Sequence, residues 1–216
     1  MADVEVRIEN GAFTIVWNPI DSSELEHVDE YIRHSADIAN VFAGVVGFHE
    51  GLHIKSLLDR VVEDGAGSLL GQGTPEMSKF CTSFGLSEID KILAVIANDR
   101  PAAIALKDLV DSFGTHIFAP VYLARAVEGL RHAIARDVKG KNSWSIMRQT
   151  LNADEAYLKL ITKCSEQLRH GEYASISPTT LWVITERSWN IMDRYIHFRL
   201  RDSTALTEPE FPMLRG

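Results

Sequence analysis

The spacing of apolar residues changes character once along the chain. Over residues 4–17 it alternates: Val4, Val6 and Ile8 are separated by Glu5 and Arg7, and Phe13, Ile15 and Trp17 resume the alternation after Asn10-Gly11. Alternation marks half-buried strands, and Asn-Gly supplies the positive φ angles of a two-residue turn. Beyond residue 18 apolar residues recur three and four apart, which gathers them on one helix face. The pattern predicts a mainly α protein, an antiparallel helical bundle of six to eight helices with an N-terminal β-hairpin. A lone hairpin is marginal, so it must pack on helices or pair with another chain.

Stop and start signals divide the helical part. Asp21-Ser22-Ser23-Glu24 offers an N-cap ahead of a helix reaching about residue 48. Ile54, Leu57, Leu58, Val61 and Val62 suggest a second helix over 53–63, and the glycine-rich stretch 64–75 reads as a loop. Ser87 is placed to cap the next helix, and Asp99 precedes a helix that carries Pro101 and closes at Gly114. Pro120 opens a helix with core stripe Leu123, Val127, Leu130 and Ile134. On its other face Glu128 is spaced to pair with Arg125, Arg131 and His132. Ser143 starts a short helix. Asp154 to His170 is the next, closed by Gly171 as its left-handed cap, and Ser177-Pro178 starts the last.

The last helix has an apolar stripe of Leu181, Ile184, Ile191, Tyr195 and Phe198, widened by Trp182, Trp189, Met192 and Ile196. A stripe this wide calls for neighbours on several sides or for a dimer. Its opposite face carries Glu186, Arg187, Asn190, Arg194, His197 and Arg201. The expected organisation is a hairpin appendage over 1–18, one helical domain over 19–201, and an extended tail over 202–216 anchored by Phe211 and Leu214.

Composition narrows the function classes. The chain has 216 residues, enough for one domain with a core of ordinary size. Its longest apolar run, 41–48, is too short to span a bilayer. The charged start lacks a signal core, and Cys81 and Cys164 are far apart without metal-like spacing, so a cytoplasmic protein with free thiols is expected. The net charge of −8 argues against a general polyanion binder. The charge is uneven, however: residues 120–201 hold 13 Lys and Arg against 8 Asp and Glu, leaving 9 and 22 elsewhere. Such asymmetry marks either a nucleic-acid face or an acidic surface gathered elsewhere.

Candidate chemistry centres on Leu168-Arg169-His170-Gly171. Histidine transfers protons near neutral pH and arginine holds phosphate. The same two residues at a helix C-terminus also suit neutralising the last-turn carbonyls ahead of Gly171. The runs YLARAVEGLRHAIAR and KLITKCSEQLRHGEY and the Trp-rich closing helix, within 120–201, resemble the HEPN superfamily (higher eukaryotes and prokaryotes nucleotide-binding). The resemblance implies an antiparallel helical bundle, commonly dimeric. It also implies metal-independent ribonuclease chemistry of the kind found in toxin–antitoxin and phage-defence systems, in which arginine and histidine help the ribose 2′-hydroxyl attack the adjacent phosphate. His170-Gly171 matches the family pattern. Its arginine four to six residues earlier is absent; Lys163 lies seven before His170 and Arg169 directly before it. The resemblance is therefore compatible with cleavage or with binding alone. It assigns His170 and Arg169 to catalysis, and Lys163 and Arg131 to phosphate contacts.

A second candidate is His49-Glu50-Gly51-Leu52-His53, an H-E-x-x-H pattern. On a helix it would place both histidines on one face for zinc, with Glu50 as general base. Gly47 and Gly51 disfavour a helix there. The expectation is a protein that binds or cuts RNA without metal. The alternatives are a helical interaction protein, oligomeric through the hairpin or the Trp-rich last helix, and a zinc hydrolase.

Overall fold

A computed structural model describes residues 3–9, 12–18, 28–51, 54–57, 68–71, 82–114, 117–138, 140–172 and 176–216. The expected hairpin turn at Asn10-Gly11, the cap at Asp21 to Glu24, His53, Cys81 and His116 lie outside these residues. The hairpin is present: β1 (Asp3–Glu9) pairs antiparallel with β2 (Ala12–Asn18), matching Val4 with Trp17, Val6 with Ile15 and Ile8 with Phe13. β2 lies against α1 (Val28–Glu50).

Within the stretches expected as a helix over 53–63 and a loop over 64–75, the described residues 54–57 and 68–71 are strands instead. β3 (Ile54–Leu57) pairs antiparallel with β4 (Ser68–Gly71), joining Ile54 to Gly71 and Leu57 to Ser68. Four residues cannot separate a helical period from an extended one, and a pairing partner decides between them. Gly51, with φ of +64°, follows the last residue of α1 as its stop.

Among the described residues six further α-helices follow: α2 (Ile89–Asn98), α3 (Arg100–Asp111), α4 (Ala119–Ile134), α5 (Lys141–Leu151), α6 (Glu155–Arg169) and α7 (Pro178–Leu200). Helices dominate the described residues, as the apolar spacing implies. Residues 86–88 form a 3-10 turn, so Ser87 does not cap α2; the Glu88 carboxylate instead accepts the Gly85 N–H at 3.1 Å. Asp99 and Ser177 act as the N-caps of α3 and α7, accepting from Ala102 and Thr180.

α4 is the central element, touching α3, α5, α6 and α7. It runs antiparallel to α3, with Gly129 beside Ala105 and Arg125 beside Asp108. Leu123, Val127 and Leu130 are buried as expected, and the alanines at 124, 126 and 133 let neighbouring helices come close. α7 touches every helix from α2 to α6, so its wide stripe is covered within the chain. Trp189 is 1 % exposed: its ring stacks on Phe48 at 5.0 Å, and its indole N–H donates to the Phe48 carbonyl at 3.1 Å. Trp182 alone of the widened stripe stays exposed.

The expected polar face of α7 is only partly a solvent face. Arg194 is buried and donates to the carbonyls of Leu151 and Pro212. It does so because the tail folds across it: Phe211 lies under the Arg194 and Arg201 guanidinium groups, and Leu206 is 1 % exposed. The tail is stitched to the α5–α6 junction through Leu206 to Thr150, Leu214 to Asn152 and Asp154 to Leu214.

Buried Asp99 also accepts the Tyr195 hydroxyl at 2.7 Å and lies 3.3 Å from Arg199 Nε. Burial and the neighbouring carboxylate push the Tyr195 hydroxyl far above its ordinary value, so it stays a proton donor. Tyr195→Phe should lower unfolding free energy by about 1.5–3 kcal/mol, the scale for a hydrogen bond to a charged group. Urea unfolding measures it; a change below about 0.5 kcal/mol would show that Asp99 does not depend on this bond.

Candidate functional site

α6 carries the candidate site, and both its ends are fixed by local rules. Asp154 accepts the Tyr157 N–H at 2.7 Å, and backbone N–H groups of Tyr157 and Gly216 hold its carboxyl below the usual range. At the other end Gly171 takes φ of +80°. Its N–H donates to Leu168 O at 3.2 Å and the Glu172 N–H to Gln167 O at 3.0 Å. That pair of bonds is the Schellman closure.

The closure bears on the capping reading of Arg169 and His170. The last-turn carbonyls are met by backbone N–H groups, so neither side chain is needed there. Arg169 crosses to α4 and holds Glu128 in a two-pronged ion pair at 2.8 and 3.2 Å. The His170 side chain is exposed, and its ring meets no hydrogen-bond partner among the described residues.

Glu128 therefore does not form the expected ion-pair row along α4. Arg125 pairs with the largely buried Asp108, whose carboxyl is pushed up by burial. Arg131 turns to α5, donating to Ser143 Oγ at 2.6 Å with its guanidinium 4.7 Å from the centre of the Trp144 ring. The structure thus brings Arg169 onto Glu128, while Arg131 contacts Ser143 and Trp144 on α5. Lys163 is exposed and lies seven residues before His170, so the two share a face of α6. Cys164 is a free thiol that burial pushes up.

His49 and Glu50 are the last two residues of α1, with Nδ1 to Oε1 at 2.7 Å. The zinc reading needs one helix to carry both histidines; α1 stops at Glu50 and Gly51 is left-handed, and His53 lies outside the described residues. Among the described residues no group of three His, Cys, Asp or Glu side chains is placed to hold a metal ion.

Two constellations went unrecognised in the sequence. The first is a groove between α5 and α6 of about 460 Å³, lined by Lys141, Trp144, Arg148, Glu155, Leu158 and Lys159. Lys141, Trp144 and Arg148 follow helical spacing, so the face was visible. What it faces was not.

The second joins Ser83 to α7. Ser83 Oγ lies 2.7 Å from Asp193 Oδ2 and 2.6 Å from His197 Nε2. The hydroxyl has one proton and a carboxylate can only accept, so Ser83 donates to Asp193 and His197 Nε2–H donates to Ser83. A serine nucleophile needs the reverse, a bare imidazole nitrogen facing Oγ. The cluster is a latch, closed further by the Ser83 N–H on Asp193 Oδ1 and by Phe84 stacked on His197 at 4.3 Å.

The family described as "Domain of unknown function (DUF8168) C-terminal domain" matches residues 89–200. The chain belongs to this family. The DUF8168 match begins on the first residue of α2 and ends on the last of α7. It therefore takes in α6, the groove, Asp193 and His197. Ser83, the hairpin and the tail fall outside the DUF8168 match. No curated protein matches the chain, and no solved structure does.

Burial lowers the affinity of His197 for a proton below the ordinary value of 6.5, against the pull of Asp193, Glu210 and Glu88 and with the push of Arg194. The unfolded chain then binds the proton more readily than the folded one. Stability should be full above about pH 6.5 and fall as the pH drops through the lowered value. Urea unfolding across that range should show the decline, and His197→Gln should flatten it. An unchanged slope in the variant would assign the pH dependence elsewhere.

Proposed function

We propose that this chain is an RNA-binding helical protein of HEPN-like type that contacts phosphates through the exposed basic face of α6. The carrying observation is that Lys159, Lys163 and His170, spaced i, i+4 and i+11, lie within one narrow strip about 16 Å long. Glu166 shares the strip, so it is positive without being uniform. The surplus of cations over residues 120–201 supports the reading, because the rest of the chain repels polyanions. Binding is better supported than cutting. Arg169 is engaged by Glu128, and the arginine of the family pattern is missing. His170 remains the residue through which metal-independent cleavage would run.

Affinity for a labelled single-stranded RNA should fall with salt, and Lys163→Ala should reduce the log–log slope by about 0.7. A salt-independent affinity, or a slope that Lys163→Ala leaves alone, rejects the phosphate role of this face. In the same assay with EDTA present, cleavage lost in His170→Ala identifies a nuclease, whereas intact RNA at full binding identifies a binder.

A second reading, assembly without chemistry, draws on the neighbouring exposed side chains Ile117 and Phe118 at the start of α4. It predicts a stable oligomer. A monomeric mass by light scattering at micromolar concentration rejects it.

A further inference from the structure

We propose that the groove between α5 and α6 is a nucleotide site, holding a base against Trp144 and its phosphate between Lys141, Arg148 and Lys159. At about 460 Å³ it falls within the range of small-ligand sites. Three cations face one carboxylate across it, in a chain whose net charge is −8. The carboxylate does not cancel them. Glu155 is 68 % exposed and stands 3.5 Å from Arg148, a loose pair that water screens.

The aromatic wall is held in place by its neighbours. Arg131 lies over the Trp144 ring, and its fork is fixed by Ser143 Oγ, which in turn donates to the Gly140 carbonyl at 2.7 Å. The indole is thereby braced at the start of α5, and its remaining surface lines the groove with buried Leu158. Inorganic phosphate would use the cations and leave the indole idle. An apolar ligand would use Trp144 and Leu158 and leave three cations unmatched. A phosphate ester carrying a flat base uses both, since stacking on an aromatic side chain tolerates any base.

Lys159 belongs both to the groove and to the basic strip of α6. The inference thus deepens the RNA reading, naming where a base is held along that surface, while a free nucleotide would satisfy the same chemistry. The test uses the full chain with three probes: adenosine monophosphate, inorganic phosphate and a labelled eight-nucleotide single-stranded RNA. Trp144→Leu should weaken adenosine monophosphate roughly tenfold and leave phosphate unchanged. Lys159→Glu, at an exposed position that tolerates substitution, should weaken all three, and Glu155→Gln should strengthen them.

RNA binding that depends on Lys163 but is indifferent to Trp144→Leu and Lys159→Glu overturns the groove and leaves the RNA reading standing. Mononucleotide binding lost in both groove variants, with no RNA bound, supports the groove and overturns the RNA reading. Equal loss of phosphate and mononucleotide in Trp144→Leu, with the helical circular dichroism retained, overturns the stacking role. No binding of any probe overturns the groove and the RNA reading together.

Discussion

A buried carboxylate must be answered, and Asp99 shows how far that requirement reaches. It sits at the corner between α2 and α3, 4 % exposed, where an isolated charge is expensive. Three groups answer it: the Ala102 N–H, the Tyr195 hydroxyl and the Arg199 guanidinium. The first sets the start of α3; the other two come from α7, one turn apart. Asp99 therefore fixes the rotation of α7 as well as the corner. With that rotation set, Trp189 turns to Phe48 and Phe113, and Arg194 turns to the tail.

Much of this was legible because the rules concerned are local. The alternation around Val4 to Ile8, the cap at Ser177 ahead of Pro178, and the stop at Gly171 each depend on neighbours a few residues away. Most readings that failed depend on partners far along the chain; Ser87 failed locally, because residues 86–88 wind into a 3-10 turn ahead of α2. Ile54 to Leu57 carries too few residues to declare its period, and β4 decided it. Arg194 looked like a surface cation because the sequence does not show that Phe211 and Pro212 return to cover it.

The candidate site divides in the same way. His170 at the end of α6 was legible, and so was Gly171. That the two would release each other was not, since it depends on backbone N–H groups of Gly171 and Glu172 taking the carbonyls a side chain was expected to take. Glu128 had three partners in reach on its own helix and went instead to Arg169, 41 residues away. Side-chain pairing along a helix is worth a few tenths of a kcal/mol, about the least force in the fold, so tertiary geometry readily overrides it. The groove needed two faces to meet, and each was only half of the evidence.

The Asp154 carboxylate has a consequence of its own. It caps α6 by accepting from Tyr157, and it also accepts the Gly216 N–H at 3.1–3.2 Å. Its backbone N–H meanwhile donates to Leu214. One residue thus serves as the first turn's anchor and as the tail's cleat. Peeling the tail back removes two of the contacts that hold Asp154 in its capping pose, so the first turn of α6 frays in the same event. The end of the tail and the first turn of α6 are thus coupled through Asp154, next to Glu155 at the mouth of the groove.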